Sequence, residues 1–321
     1  MKKKLISTVL ICALLTGCGS SNNLLLPYET NSDVAQSNDY KYMSADVSDF
    51  FASDRTIITD EYNHMSDNAI NATAALLVNS TKDEVIFANN VYEKLYPASI
   101  TKIMTALVVL KNADLADIVT ISYNASHITE SGAKLVGFKE GDQVELGTLL
   151  ELLLLYSGND AGIAIAEYVG GSEEGFAKMM NDTAKSLGAV HTNFVNAHGL
   201  HDDNHYTTAY DLYLIFEELI EYDKFLSIIN LTKVTATYLD ASNRYIEKEF
   251  TTTNRYLKGT EDVPDGVVVV GGKTGTTYKA GNCLILYSKD DNNNSYISII
   301  LQADSGNSLF SQMTRLLEMI P

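Results

Sequence analysis

From residue 67 onward the apolar positions fall into runs whose period changes along the chain. Residues 72–79 are almost continuously apolar and read as a buried strand; Ser80-Thr81-Lys82-Asp83 then turns the chain into a second strand over 84–88. Behind Pro97, which bars helix upstream, Ile103, Leu107 and Leu110 recur at helical spacing, so a mostly buried helix opens there. A short strand is expected over 118–121. Residues 122–147 show no sustained period and are punctuated by Gly132, Gly137, Gly141 and Gly147. The run 148–155, T-L-L-E-L-L-L-L, is too short to span a bilayer and reads as a buried helix. Tyr156-Ser157-Gly158-Asn159-Asp160 interrupts it, and helix resumes over 161–169. Residues 173–187 are amphipathic up to Gly188, and 207–222 are amphipathic with Thr207 or Thr208 as the cap.

After Asp223 the period becomes that of strands. Residues 234–238 and 245–251 read as a hairpin around 240–243. A β-branched run over 266–271 leads into Lys273-Thr274-Gly275, and strands at 282–288 and 296–302 are joined by an Asn-rich turn. Residues 308–320 close the chain as an amphipathic helix. Strands, helices, strands and a final helix predict an α+β domain over 67–321: an antiparallel sheet built from both ends of the chain, flanked by helices. A mostly helical subdomain, about 122–222, is inserted into it. No internal repeat is visible.

The first 66 residues follow a different pattern. Lys2, Lys3 and Lys4 precede an apolar stretch over 5–15, again too short to cross a bilayer, which ends in Leu15-Thr16-Gly17-Cys18. This is similar to a bacterial lipobox and predicts a signal peptide over 1–17, with Cys18 cleaved free and lipidated; an ordinary secretory signal is the alternative. Residues 18–66, rich in Ser, Asn, Asp and Tyr, read as the anchor cysteine and a tether, with a short helix near 47–52. A flexible chain of that length spans roughly 35–40 Å, so the globular part would stand off the outer face of the cell membrane.

Charge and cysteines narrow the classes. The net charge is −18, and losing the three signal lysines would make it more acidic still. Such a chain has no basic surface for neutralising phosphate, which argues against nucleic acid as a partner. Of the three cysteines, Cys12 would leave with the signal and Cys18 would carry lipid. Cys283 then stands alone in an apolar run and reads as core.

Three short motifs carry the candidate chemistry. Ser99 opens a helix with Lys102 three residues on, so hydroxyl and amine share one face. The amine accepts a proton only when neutral, which needs burial or a neighbouring cation. Ser157-Gly158-Asn159 breaks a helical region, and Lys273-Thr274-Gly275-Thr276 ends a strand. Singly, each is as readily a cap, a loop or a turn.

In this order, S-x-x-K, S-G-N and K-T-G resemble the penicillin-recognising serine hydrolases, and among them the serine D-alanyl-D-alanine carboxypeptidases of the low-molecular-mass penicillin-binding protein type. The resemblance runs from about residue 67 to the C-terminus. It includes Pro97–Lys102, Ser157–Ala161, Asn193–Leu200, His205–Leu212 and Gly272–Gly281. It implies Ser99 as nucleophile, Lys102 as base, Ser157 as proton relay and Asn159 as a holder of Lys102 and of the substrate amide. Lys273, Thr274, Gly275 and Thr276 would receive the substrate's terminal carboxylate. It further implies peptidoglycan stem peptides as substrates, β-lactams as covalent inhibitors, and no cofactor. Class A β-lactamases carry an E-x-x-x-N pattern after the middle motif. None occurs between Asn159 and Lys273 here, and the middle motif is S-G-N rather than S-D-N; both favour a carboxypeptidase. A β-lactamase, a cross-link endopeptidase and a catalytically idle β-lactam-binding lipoprotein remain alternatives. His198, His201 and His205 with Asp202 and Asp203 could be read as zinc ligands, but the stretch matches a structural loop of the serine family, so no metal is expected. Many relatives add a β-rich C-terminal domain and an anchoring helix. This chain stops at Pro321, and lipid on Cys18 is expected to replace that anchor.

Overall fold

The architecture centres on a five-stranded antiparallel sheet built from early and late segments of the described residues. A computed structural model describes Ala52 and residues 55–321. The expected signal peptide, Cys18, and the tether with its short helix up to residue 51 lie outside the described residues. Strands β1 (Ala74–Asn79) and β2 (Glu84–Asn89) come from the N-terminal side; β7 (Val267–Thr277), β8 (Gly281–Asp290) and β9 (Ser295–Ala303) come from the C-terminal side. Their order is β2-β1-β9-β8-β7, with every neighbouring pair antiparallel. Strand β1 lies inside the sheet, and a hydrophobic cluster packs on each face of it, which explains its continuous apolar run. Leu76 and Val78 join the core on one face; Ala75 and Leu77 join that on the other.

The C-terminal helix, α8 (Gly306–Leu317), covers one face. Leu309, Phe310, Met313, Leu316 and Leu317 form its buried stripe, and Ser305 caps it by accepting from the Ser308 N–H. The other face packs against the inserted helices. Helix α1 (Thr101–Asn112), entered through a 3₁₀ turn at Ala98–Ile100, is buried over Thr101–Val109, so its apolar positions spread around the whole helix. Around it lie α3 (Leu146–Glu151), α4 (Asn159–Gly170), α5 (Glu173–Ser186) and α6 (Ala209–Leu219), with Thr208 as the N-cap of α6. Helix α2 (Tyr123–Ser126) precedes them in the chain, and α7 (Asp223–Ile229), not expected from the sequence pattern, follows them.

Two features differ from the expected layout. The hairpin β5 (Lys233–Leu239) and β6 (Tyr245–Thr251) does not extend the main sheet. It joins β3 (Ile118–Thr120) and β4 (Gln143–Glu145) in a separate four-stranded sheet ordered β3-β4-β5-β6. Strand β4 has three residues, too few to show a period, and it meets β5 across some ninety residues of chain through the pair Gln143 and Leu239. The fold also begins before residue 67. Ile58 is buried, the Asn63 side chain accepts from the Val91 N–H at 2.7 Å, and the Met65 N–H donates to Ala88 O at 3.0 Å. The polar composition of 55–66 reflects hydrogen bonding onto the domain rather than a free tether. Among the described residues no helix is long and apolar enough to cross a membrane.

Candidate active site

The nucleophile turn is held in an uncommon backbone shape. Ala98 has φ +49°, a left-handed conformation that a residue with a Cβ rarely adopts. Its carbonyl accepts from Thr101 Oγ1 at 2.7 Å. His205 Nε2 lies 2.8 Å from that same Oγ1, and His205 Nδ1 accepts from the Val195 N–H. Since Nδ1 accepts, Nε2 carries the ring proton and donates to Thr101. Burial pushes the His205 pKa down to about 3, so the neutral tautomer persists. Gly199 presses on this turn from outside: a Cβ there would stand 1.9 Å from Ala98 O.

Lys102 follows one helical turn later and is fully buried. Its Nζ lies 3.0 Å from Ser99 Oγ, 2.8 Å from Asn159 Oδ1 and 2.5 Å from the His198 carbonyl. Two of these partners are acceptors only. A neutral amine has two N–H groups and one lone pair; the N–H groups serve Asn159 and His198, which leaves the lone pair for the Ser99 hydroxyl proton. Burial lowers the Lys102 pKa well below its ordinary value, and the charge of Lys273 adds to the effect. Both effects favour the neutral amine.

The second motif owes its position to a widened turn. After α3 the chain runs through a π-helical turn at Leu152–Tyr156 and reaches Ser157 at φ +73°. Gly158 then leads into α4, which starts at Asn159. The carboxylate of Asp160, in the first turn of α4, accepts from the backbone N–H groups of Val136, Gly137 and Ala161 at 2.8–3.0 Å. The Asn159 N–H donates to Lys134 O at 2.7 Å. Together these tie loop 132–138 to the start of α4.

The third motif lies on β7, the edge strand of the main sheet. Gly275 lets that strand touch the nucleophile turn; a Cβ there would stand 2.9 Å from Ser99 N and 3.0 Å from Pro97 O. Lys273 is 1% exposed, and its Nζ donates to Ser157 Oγ at 3.0 Å and to Thr274 O at 2.9 Å. Burial, followed by the charge of Lys134, pushes its pKa down to about 7. Thr274 Oγ1 pairs with Thr253 Oγ1 at 2.6 Å, and Thr276 Oγ1 donates to Asn282 Oδ1 at 3.2 Å. Ser99, Ser157, Asn159, Thr274, Gly275 and Thr276 thus line one cleft of about 350 Å³, with the two lysine amines beneath its floor.

A model of the D-alanyl-D-alanine carboxypeptidase family, peptidase S11, matches residues 61–305. The chain belongs to this family. The carboxypeptidase DacF of Bacillus subtilis is 34% identical over 260 residues, covering 79% of this chain and 63% of the relative; this S11 chain therefore spans a little under two thirds of DacF's length. Among solved structures, the Streptomyces K15 DD-transpeptidase is 25% identical with a TM-score of 0.73, covering 79% of this chain and 98% of that one. Penicillin-binding protein D2 of Listeria monocytogenes, solved with cefotaxime bound, is 25% identical with a TM-score of 0.65 over 79% of this chain and 99% of that one. The penicillin-recognising α+β fold expected from motif order is the fold these structures share.

Some residues of the S11 cleft were not visible in the sequence pattern. Lys134, Arg255 and the Leu309–Phe310 corner also line it. Lys134 lies in the aperiodic stretch before α3, and Arg255 in the loop before β7; neither position carries a periodic or motif signal. The histidines of the 198–205 loop have separate tasks. His198 supplies a carbonyl to Lys102 and accepts from the Leu200 N–H through Nδ1, and His201 stacks edge-on against Tyr96. Among the described residues no group of three His, Cys, Asp or Glu is arranged to hold a metal ion. Cys283 is a buried free thiol on β8, opposite Gly275.

Proposed function

We propose that this chain is a serine D-alanyl-D-alanine carboxypeptidase that removes the terminal D-Ala from peptidoglycan stem pentapeptides. The observation that carries this reading is the set of three contacts around Lys102 Nζ, which leaves one lone pair aimed at Ser99. Ser99 Oγ attacks the carbonyl of the penultimate D-Ala as Lys102 takes its proton. Backbone N–H groups of Ser99 and Thr276 receive the oxyanion, where loss of one donor typically costs about 10²–10³ in kcat. The proton taken by Lys102 is relayed by way of Ser157, which lies against Lys273, to the departing amine, so terminal D-Ala leaves and Lys102 is neutral again. Asn159 holds Lys102 and the substrate amide. Lys273, Thr274 and Thr276 take the terminal carboxylate, and Gly275 keeps β7 close enough for them to do so. Water then cleaves the Ser99 ester with Lys102 again as base.

A β-lactam enters the same sequence and acylates Ser99. No Asp or Glu lines the described cleft, so no carboxylate stands by to activate the second water. This favours a long-lived penicilloyl ester over β-lactamase turnover. Fluorescent penicillin is expected to label the protein covalently, and Ser99→Ala to remove both labelling and D-Ala release. Labelling that persists in Ser99→Ala overturns the assignment.

The same reading extends to location: a signal peptide over 1–17, lipid on Cys18, a tether beyond it, and a catalytic domain held outside the cell membrane. The L-T-G-C sequence at 15–18 behind a basic, apolar leader supports it. Metabolic labelling with a fatty-acid probe is expected to mark the wild type and not Cys18→Ala. A Cys18→Ala protein still labelled and membrane-bound rejects the lipid anchor.

A further inference from the structure

His205 is a buried titratable side chain that the proposed reaction does not use. It is 2% exposed, and it meets Thr101 across 104 residues of chain. The Val195 N–H donates to its Nδ1 at 3.2 Å, so the ring proton sits on Nε2 and is given to Thr101 Oγ1 at 2.8 Å. That leaves the Thr101 hydroxyl proton for Ala98 O, at 2.7 Å. The hydrogen bonds therefore run in one sense, from the Val195 amide through the imidazole and the hydroxyl to one carbonyl. Bonds aligned in series strengthen one another where water is excluded, and both Thr101 and His205 are buried.

The carbonyl at the end of this relay shares a peptide with the Ser99 N–H. A trans peptide is planar, so the two groups point in opposite directions, and whatever turns Ala98 O turns the Ser99 N–H with it. Ala98 holds φ +49°, a conformation that persists only where the surroundings fix it. The Thr101 N–H also donates to Ala98 O, and Gly199 stands against the same oxygen, 1.9 Å from where its Cβ would be. Gly275 brings β7 onto the amide nitrogen, 2.9 Å from where its own Cβ would be. The Ser99 amide thus abuts the strand that carries Thr276, its proposed partner in receiving the oxyanion.

We infer that His205 is a positioning residue for acyl transfer: acting through the Thr101 hydroxyl, it sets the plane of the Ala98–Ser99 peptide and so aims the Ser99 N–H at the developing oxyanion. The inference rests on the carboxypeptidase reading, which makes that N–H an oxyanion donor, and adds to it the device that points the donor. His205 does not line the cleft and takes no part in bond making. A hydrogen bond weakens steeply as its donor turns away, and the loss is greatest where charge develops. The effect of breaking the relay therefore falls on kcat and leaves KM nearly unchanged.

Thr101→Val, Thr101→Ser, His205→Phe and the double variant Thr101→Val/His205→Phe test it, with D-Ala release from a pentapeptide measured well below each thermal midpoint. In Thr101→Val kcat should fall about 10- to 100-fold, short of the roughly 10²–10³ that outright loss of an oxyanion donor costs, with KM within about twofold of wild type. His205→Phe should show the same split, and Thr101→Ser, which keeps the hydroxyl, should recover most of the loss. The double variant should match Thr101→Val within about twofold, because His205 acts through that hydroxyl. Affinity for a peptidyl boronic acid, which adds to Ser99 Oγ as a tetrahedral anion, should fall in step with kcat. Wild-type kcat and boronate affinity in a folded Thr101→Val or His205→Phe protein overturns the inference, as does a rise in KM alone or a double variant in which the two losses multiply. Should one single variant not fold, the other decides. If the wild type releases no D-Ala, the carboxypeptidase reading falls, and the relay is judged by the rate at which benzylpenicillin acylates the same variants; with no acylation either, both fall.

Discussion

Two buried lysines in one cleft divide the electrostatic work. In the proposed reaction Lys102 must be neutral to take a proton, and Lys273 must be charged to hold a carboxylate. Burial lowers both, and each carries the field of another cation: Lys273 acts on Lys102, and Lys134 acts on Lys273. The pH dependence follows from these directions. As pH falls through the depressed Lys102 pKa, the amine becomes protonated and the rate drops. As pH rises through about 7, free Lys273 loses its proton, carboxylate capture weakens and kcat/KM declines. A bound carboxylate stabilises the ammonium, so kcat should hold to higher pH than kcat/KM. Lys134→Met removes a positive neighbour and should move the basic limb of kcat/KM upward. A pH–rate series on D-Ala release checks both limbs; a basic limb that moves down in Lys134→Met contradicts the scheme.

The residues of the three motifs are held by irregular pieces joined to regular ones. The 3₁₀ turn before α1, the π-helical turn before Ser157 and the edge of β7 each present a functional side chain where regular geometry would bury it or turn it away. Loop 132–138 belongs with them because its amides are gathered by the Asp160 carboxylate at the start of α4. Asp160→Ala leaves several buried N–H groups without an acceptor, which costs about 2–4 kcal/mol in stability. It also releases the loop that carries Lys134. Thermal unfolding should register the first effect. The rate of acylation by benzylpenicillin, measured well below the new midpoint, should fall several-fold from the second. Full acylation by a destabilised Asp160→Ala protein would limit the clamp to a role in folding.

The domain is closed by segments remote from the cleft. Residues 55–66 lie against its surface: Tyr210 OH donates to Thr56 O at 3.1 Å, Tyr92 OH donates to Ile58 O at 2.8 Å, and Thr56 Oγ1 donates to Asp83 O. Arg55 stands 3.5 Å from the carboxylate of Glu217, which is 3% exposed. Burial raises the Glu217 pKa, and Arg55 opposes that shift. A protein beginning at residue 67 would lose the burial of Ile58, the Asn63 side-chain bond and the cation facing Glu217. Together these are worth about 3 kcal/mol. Its thermal midpoint should lie at least about 5 °C below that of a protein beginning at residue 52. Equal midpoints would mean that the segment merely rests on the surface.

Much of this was legible before any coordinates. Ser99, Lys102, Ser157, Asn159 and the 273–276 stretch come together in one cleft as the motif order implied, and the strand–helix–strand order placed both chain ends in one sheet. These features are local: a capped turn, a broken helix and a β-branched run each leave a mark within ten residues. Other features depend on contacts far apart in sequence, which no local period records. The second sheet needs β4 and β5 to meet, and α7 is too short to announce itself. Sequence alone therefore determined which groups the proposed chemistry would use and in what order they occur. The tertiary structure decided their protonation states, because desolvation and Coulomb energy depend on distance through space rather than along the chain.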